Sequence, residues 1–172
     1  MDDAAPTIEE VRDTPRSVSG LWARRLFLLV PAVLAIAALL NLFGQRQAVS
    51  HAKRPVASLT VSSPSRLRGG LLYQARVHVT ARQAIKQPEL VFDRGWFDQT
   101  TVNAIDPEPS QEQPEDGGVG MQFDPLPPGG ELTLWVAFQA NPTNIGRHRT
   151  NVVLKDGDSD LASVHRTQLN LP

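Results

Sequence analysis

Two rhythms of hydrophobic positions divide this chain. From Leu26 to Phe43 it reads LFLLVPAVLAIAALLNLF, 18 positions without a charged residue. A helix that is apolar all round leaves no face for water. At about 1.5 Å of rise per residue it would extend roughly 27 Å, close to the hydrocarbon thickness of a bilayer. The pattern predicts one transmembrane α-helix. Pro31 falls in its second turn, where it removes a backbone bond to Phe27, a loss that membrane helices tolerate. A cleaved signal peptide competes, with Ala48 and Ser50 as small residues before a cut. It fits poorly, because the charged leader is long and the apolar stretch exceeds the usual run of about 7–15 residues.

From about Val56 onward the apolar positions alternate, which is the period of half-buried strands. Leu59 and Val61 mark the first strand. Tyr73, Ala75, Val77, Val79 and Ala81 share one face of the second, and Gln74, Arg76, His78 and Thr80 the other. Further strands are expected at Glu89 to Asp93, at Thr101 to Ile105, and around Val119, Met121 and Phe123. Leu132, Leu134, Val136, Phe138 and Ala140 form the strongest, with Thr133 and Trp135 opposite. The last two run from Arg149 to Lys155 and from Leu161 to Leu171. Between them lie turns: Gly69-Gly70, Pro125 to Gly130 and Asn141 to Gly146. The expected fold is all-β, an immunoglobulin-like antiparallel β-sandwich of seven to eight strands preceded by one transmembrane helix.

The resulting organisation is a disordered tail over 1–20, the helix with its basic flank over 21–43, a stalk over 44–55 and the β-sandwich over 56–172. The tail is acidic, carries two prolines and has few large apolar side chains, a composition that does not bury enough surface to offset chain entropy. Arg12, Arg16, Arg24 and Arg25 precede the span, and Arg46, Lys53 and Arg54 follow it. That bias is slight. A first helix usually sets topology and a long following domain translocates regardless of charge, so the tail is expected in the cytoplasm and the β-domain outside. Trp22 then anchors the inner interface beside Arg24 and Arg25.

The layout resembles the uncharacterised bacterial single-pass envelope proteins that carry an immunoglobulin-like domain outside. The stretch from Leu126 through Asp156 carries the resemblance: a proline-glycine turn, a strong alternating strand, a loop with Asn141 and Gly146, and a strand ending in Asp156-Gly157. The resemblance implies a binding or structural role. The cysteine pair of antibody-type domains is missing from the sequence.

The net charge of −1 conceals a separation. Residues 44–88 carry eight basic side chains and no acidic one, whereas residues 89–172 carry 13 acidic and five basic. The basic half favours anionic headgroups. Asp106 to Gly118, with Glu108, Glu112, Glu115 and Asp116, is expected to be a long acidic loop. Zero cysteines remove disulfides, thiolate metal sites and cysteine nucleophiles, and balanced totals speak against a nucleic-acid partner.

Candidate chemistry is sparse. Asp156, Asp158 and Asp160 resemble half of a calcium loop, but Leu161 and Thr167 stand where an EF-hand needs glycine and glutamate, so a hairpin turn explains them better. His51, His78, His148 and His165 show no metal spacing. His148 and His165 would oppose one another if Asp156-Gly157 were a two-residue loop. Nothing matches a hydrolase elbow or a nucleotide loop. No enzyme, no cofactor and no metal site are therefore expected. Recognition rests on Trp96 and Phe97, adjacent aromatics of which at least one is expected at the surface, and on Trp135 on the outer face of the strongest strand. The function expected is a membrane-anchored, non-catalytic module that binds or scaffolds another membrane or envelope protein, with the lipid bilayer as its other partner. The alternative is a ligand- or calcium-sensing domain.

Overall fold

The computed structural model describes residues 18–40, 45–115 and 117–172. The tail through residue 17, residues 41–44 and Asp116 lie outside them. The chain divides into two units, Met1–Phe43 and Gly44–Pro172.

In the first unit, helix α1 spans Val18–Leu39 with Pro31 inside it. Its window Trp22–Leu39 has a mean hydropathy of 1.8 and is 0% buried. A helix from the core of a soluble domain would be mostly covered, and this one leaves its leucines and valines bare. It is long and apolar enough to cross a membrane. Arg25 holds its guanidinium 5.8 Å from the Trp22 ring, one helical turn away.

The second unit is an immunoglobulin-like antiparallel β-sandwich, and its described residues form ten strands rather than seven or eight. They are β1 (Arg46–Lys53), β2 (Ala57–Arg68), β3 (Leu72–Ala81), β4 (Pro88–Phe92), β5 (Thr100–Asp106), β6 (Gln111–Glu115), β7 (Gly118–Gln122), β8 (Glu131–Ala140), β9 (Gly146–Asp156) and β10 (Ser159–Leu171). They form one curled sheet in the order β5-β8-β3-β2-β10-β9-β4-β7-β6, with β1 also on β2.

Strand β2 makes the fold. Its first half, Ala57 to Ser62, pairs antiparallel with β3, and its last residues, Arg66 to Arg68, pair parallel with β10. Between them Ser63 and Pro64 are both buried, and Pro64 breaks the alternation that holds through Ser63. Proline has no N–H for the ladder, so its place is where a strand leaves one set of neighbours for another. The sheet bends over there, and a single core lies between its halves. Leu59, Val77, Leu134 and Phe138 come from one layer, Leu90, Phe92, Met121, Val152 and Leu154 from the other.

Two strands were hidden from the hydrophobic pattern. The expected stalk carries β1, paired with β2 from Lys53↔Ser58 to Arg46↔Arg66. The expected acidic loop carries β6, paired with β7 from Gln111↔Gln122 to Glu115↔Gly118. Main-chain ladders need no apolar side chains, and an edge strand facing water tolerates charges and even Pro114. The β9–β10 register also differs from expectation. The loop is Gly157-Asp158, and an irregularity between Asp160 and Ala162 shifts the pairing, so His148 lies opposite Gln168 and His165 opposite Asn151.

Candidate functional site

Trp96 belongs to the core, so of the two adjacent aromatics it is not the one at the surface. After β4 the chain turns through the 3-10 helix Arg94–Trp96. Gly95 lies against the Arg149 carbonyl so closely that a Cβ would collide with it. This approach delivers Trp96 inward to 1% exposure. Its ring stacks on Phe138 of β8 at 5.6 Å and meets Phe92 of β4 edge-on at 5.7 Å. The indole N–H donates to the Asn151 carbonyl of β9 at 3.0 Å. A single side chain thus ties both layers, its polar edge satisfied as burial requires. Phe97 is half-buried and meets Phe138 edge-on at 6.4 Å, so it borders the core rather than standing free.

Trp135 is the aromatic that faces out. It lies directly opposite Arg76 of β3 and Asp106 of β5, half-buried, with the Arg76 guanidinium 5.2 Å from its ring centre. The next row on the same face is Gln74, Ala137 and Ala104. Two alanines beside an indole leave a notch of about 340 Å³, with Trp135 as its wall and Gln74 and Asp106 at its rim. Nearby, His78 is hydrogen-bonded to Thr133 at 2.8 Å and Thr80 at 3.3 Å.

The outer face of the other layer is polar. A concavity of about 390 Å³ lies over Asp93, Arg149, Asn151 and His165, and one of about 250 Å³ over Asp93, Glu115, Asn151 and Lys155. Burial raises the Asp93 carboxyl above its ordinary value, opposed by the backbone amides of Asn151 and Gly95 and by His165. Lys155 pairs with Glu115, and that hydrogen bond raises the ammonium's pKa. Asp156 Oδ1 accepts from the backbone N–H groups of Lys86 at 3.0 Å and Gln87 at 2.8 Å. Its carboxylate clamps the turn before β4. Among the described residues no three histidine or acidic side chains gather as metal ligands would.

The alternating pattern did not single out Arg166. It occupies an inward position of β10, opposite the buried Thr150. Its guanidinium donates to the carbonyls of Val61 at 2.9 Å, Ala48 at 2.9 Å and Ser63 at 2.8 Å. Burial lowers its pKa. The signal in the sequence was the inward phase of β10 itself, in which Ala162 and Val164 give way to Arg166, Gln168 and Asn170.

No protein-family model matches the chain, and no curated protein matches it in sequence. Among solved structures it is similar to the CARDB domain of a Pyrococcus furiosus protein in complex with di-metal ions, at 15% identity over 71% of this chain and 95% of that one, TM-score 0.44. It is also similar to CaCohA2 of Clostridium acetobutylicum, at 14% identity over 68% of this chain and 93% of that one, TM-score 0.41. A third is a FixG-related protein of Vibrio parahaemolyticus, at 11% identity over 74% and 96%, TM-score 0.34. Likenesses this distant say nothing of function.

Proposed function

We propose that this chain is a single-pass, membrane-anchored and non-catalytic β-sandwich module of a bacterial envelope, its N-terminus cytoplasmic and its sandwich outside, which binds a second membrane or envelope protein. The anchor reading is supported by a helix whose apolar window is bare on every side. The binding reading is carried by the Trp135 notch. A half-exposed tryptophan held by an arginine is the kind of rigid, amphipathic anchor in which interface energy concentrates. Arg76 already lies over the indole, and the rest of the notch is lined by Ala104, Ala137, Gln74 and Asp106, so the group that fits is an uncharged side chain of the partner that packs on the alanines and donates a hydrogen bond to Asp106.

The test is a photo-crosslinking amino acid placed at Gln74, beside the notch, or at Thr167 on the opposite layer, with irradiation of intact membranes. A discrete adduct to a membrane protein is expected from position 74 alone, and Trp135→Ala should abolish it. No adduct from position 74, or equal adducts from both positions, would sink the binding role. Protease shaving of whole cells tests orientation: a sandwich protected from external protease reverses it.

A further inference from the structure

One end of the sandwich differs from the rest of its surface. The described sandwich exposes few large apolar side chains: Val49, Leu71, Leu72 and Ile145. The last three gather at the end where β1 begins. Leu71 and Leu72 follow the Gly69-Gly70 turn, and Ile145 belongs to the loop joining β8 to β9. The two loops touch: a Cβ on Gly69 would lie 2.7 Å from the Pro142 carbonyl oxygen, and the Gly70 N–H donates to the Ala140 carbonyl at 3.0 Å. Gln45, just ahead of β1, reaches the Leu72 carbonyl at 3.3 Å.

Arginines surround these tips. Strand register places Arg46 opposite Arg66, Arg66 opposite Leu169 and Leu169 opposite Arg147, so one row across four strands carries three guanidinium groups. Arg68, opposite Leu171, lies one step nearer the tip. All four arginines are exposed. Among the described residues the acidic side chain at this end is Asp98, whose carbonyl accepts from Asn144 at 3.2 Å; the arginines outnumber it.

We propose that this end docks on a bilayer surface, Leu71, Leu72 and Ile145 entering the interfacial layer and Arg46, Arg68 and Arg147 engaging anionic phospholipid headgroups. The inference rests on the membrane-anchor reading, since residues 40–45 alone separate β1 from Leu39 of the helix. A tether of that length extends at most about 25 Å. Bare leucine tips within a basic rim match what an interface of acyl chains below phosphates recognises. Without a membrane they are simply exposed apolar surface.

The chain has no cysteine, so a single fluorophore can be placed at will. Full-length protein carrying Leu72→Cys or, at the far end of β3, Gln83→Cys is reconstituted into nanodiscs of phosphatidylcholine with or without phosphatidylglycerol, and a headgroup nitroxide lipid serves as quencher. Strong quenching is expected for the label at 72 in anionic discs and little for the label at 83. An arginine near an anionic surface is worth about fivefold in binding. Arg68→Glu with Arg147→Glu should therefore lower docking by more than about tenfold and return the label at 72 to the level seen at 83. Ile145→Cys repeats the measurement from the adjacent loop. Equal quenching at 72 and 83 overturns the proposal, as does quenching at 72 indifferent to lipid charge and to both reversals, which the tether alone would give. Failure of the full chain to incorporate into discs overturns the anchor reading along with it.

Discussion

Replacing Arg166 with methionine asks whether a half-buried cation holds the sandwich together where its layers part. The guanidinium makes three hydrogen bonds of 2.8–2.9 Å, to the carbonyls of Val61, Ser63 and Ala48, and so links β10 to β2 and β1. Methionine fills similar space without donating. Two effects oppose one another. Removing a half-buried charge relieves a desolvation cost, and exchanging buried ion pairs for apolar residues is often neutral or stabilising. Here the partners are not carboxylates that could be removed with it but main-chain carbonyls that stay behind. Each carbonyl stripped of its partner costs about 1–3 kcal/mol. Partial exposure and the carbonyls' second lone pairs bring the sum for three toward its lower end, so the expected loss is about 2–4 kcal/mol. At about 3–4 °C per kcal/mol for a domain of this size, Tm should fall by roughly 10 °C. Urea unfolding followed by the fluorescence of buried Trp96 provides the assay. Arg166→Lys, which keeps the charge but spans fewer carbonyls, should fall between. Arg147→Met, exposed on the neighbouring strand, should stay within about 0.5 kcal/mol. Amides of β1 should exchange faster in the Met variant alone. If Arg166→Met unfolds with Arg147→Met, or is more stable than the native chain, desolvation outweighs the three bonds and the reasoning fails.

Two further outcomes follow from the packing. Trp96→Ala removes a ring shared by both layers and should cost about 3–5 kcal/mol. Trp135→Ala forfeits a half-exposed contact with Arg76 and should cost about 1 kcal/mol or less; matching losses in urea unfolding would contradict their placement. Asp93 has its folded pKa raised above the ordinary 3.8, burial being the larger cause. Between the two values the folded chain holds more protons than the unfolded one, so this group's contribution is full below the unfolded pKa and is lost as pH rises through the folded one. The Tm of the native chain should therefore decline relative to Asp93→Asn as pH increases from about 4 and level off above that window; a relative rise would reverse the assignment.

How much of this was legible in the sequence depends on what each feature rests on. Strands β3 and β8 were legible because alternation and burial coincide residue by residue, from Tyr73 to Ala81 and from Leu134 to Ala140. Strands β1 and β6 were not, because what orders RQAVSHAK and QEQPE is a neighbour's main chain, and hydropathy does not record a ladder. The aromatics divide in the same way. Trp135 faces outward as its position in an alternating strand requires. Trp96 follows a strand, where the period lapses, and its burial depends on Gly95 meeting the Arg149 carbonyl, a contact between residues far apart in the chain.

The charge pattern shows what folding adds to a linear reading. Counting along the chain separates a basic half from an acidic half, and that division places Arg147 in the acidic one. Register moves it across. β9 lies beside β10, β10 beside the end of β2, and β2 beside β1, so Arg147 joins Arg66 and Arg46 in one row. The parallel pairing of β2 with β10 is what closes that row, and it exists because β2 changes neighbours after Ser63-Pro64. A break in a strand's alternation, which by itself looks like a flaw, thus gathers the arginines at the end where the chain arrives from its apolar helix. The same break leaves the cleft between β1, β2 and β10 that Arg166 fills. Strengthening the alternation by replacing Pro64 would therefore be expected to disturb both, because a strand content to stay with β3 has no reason to cross to β10.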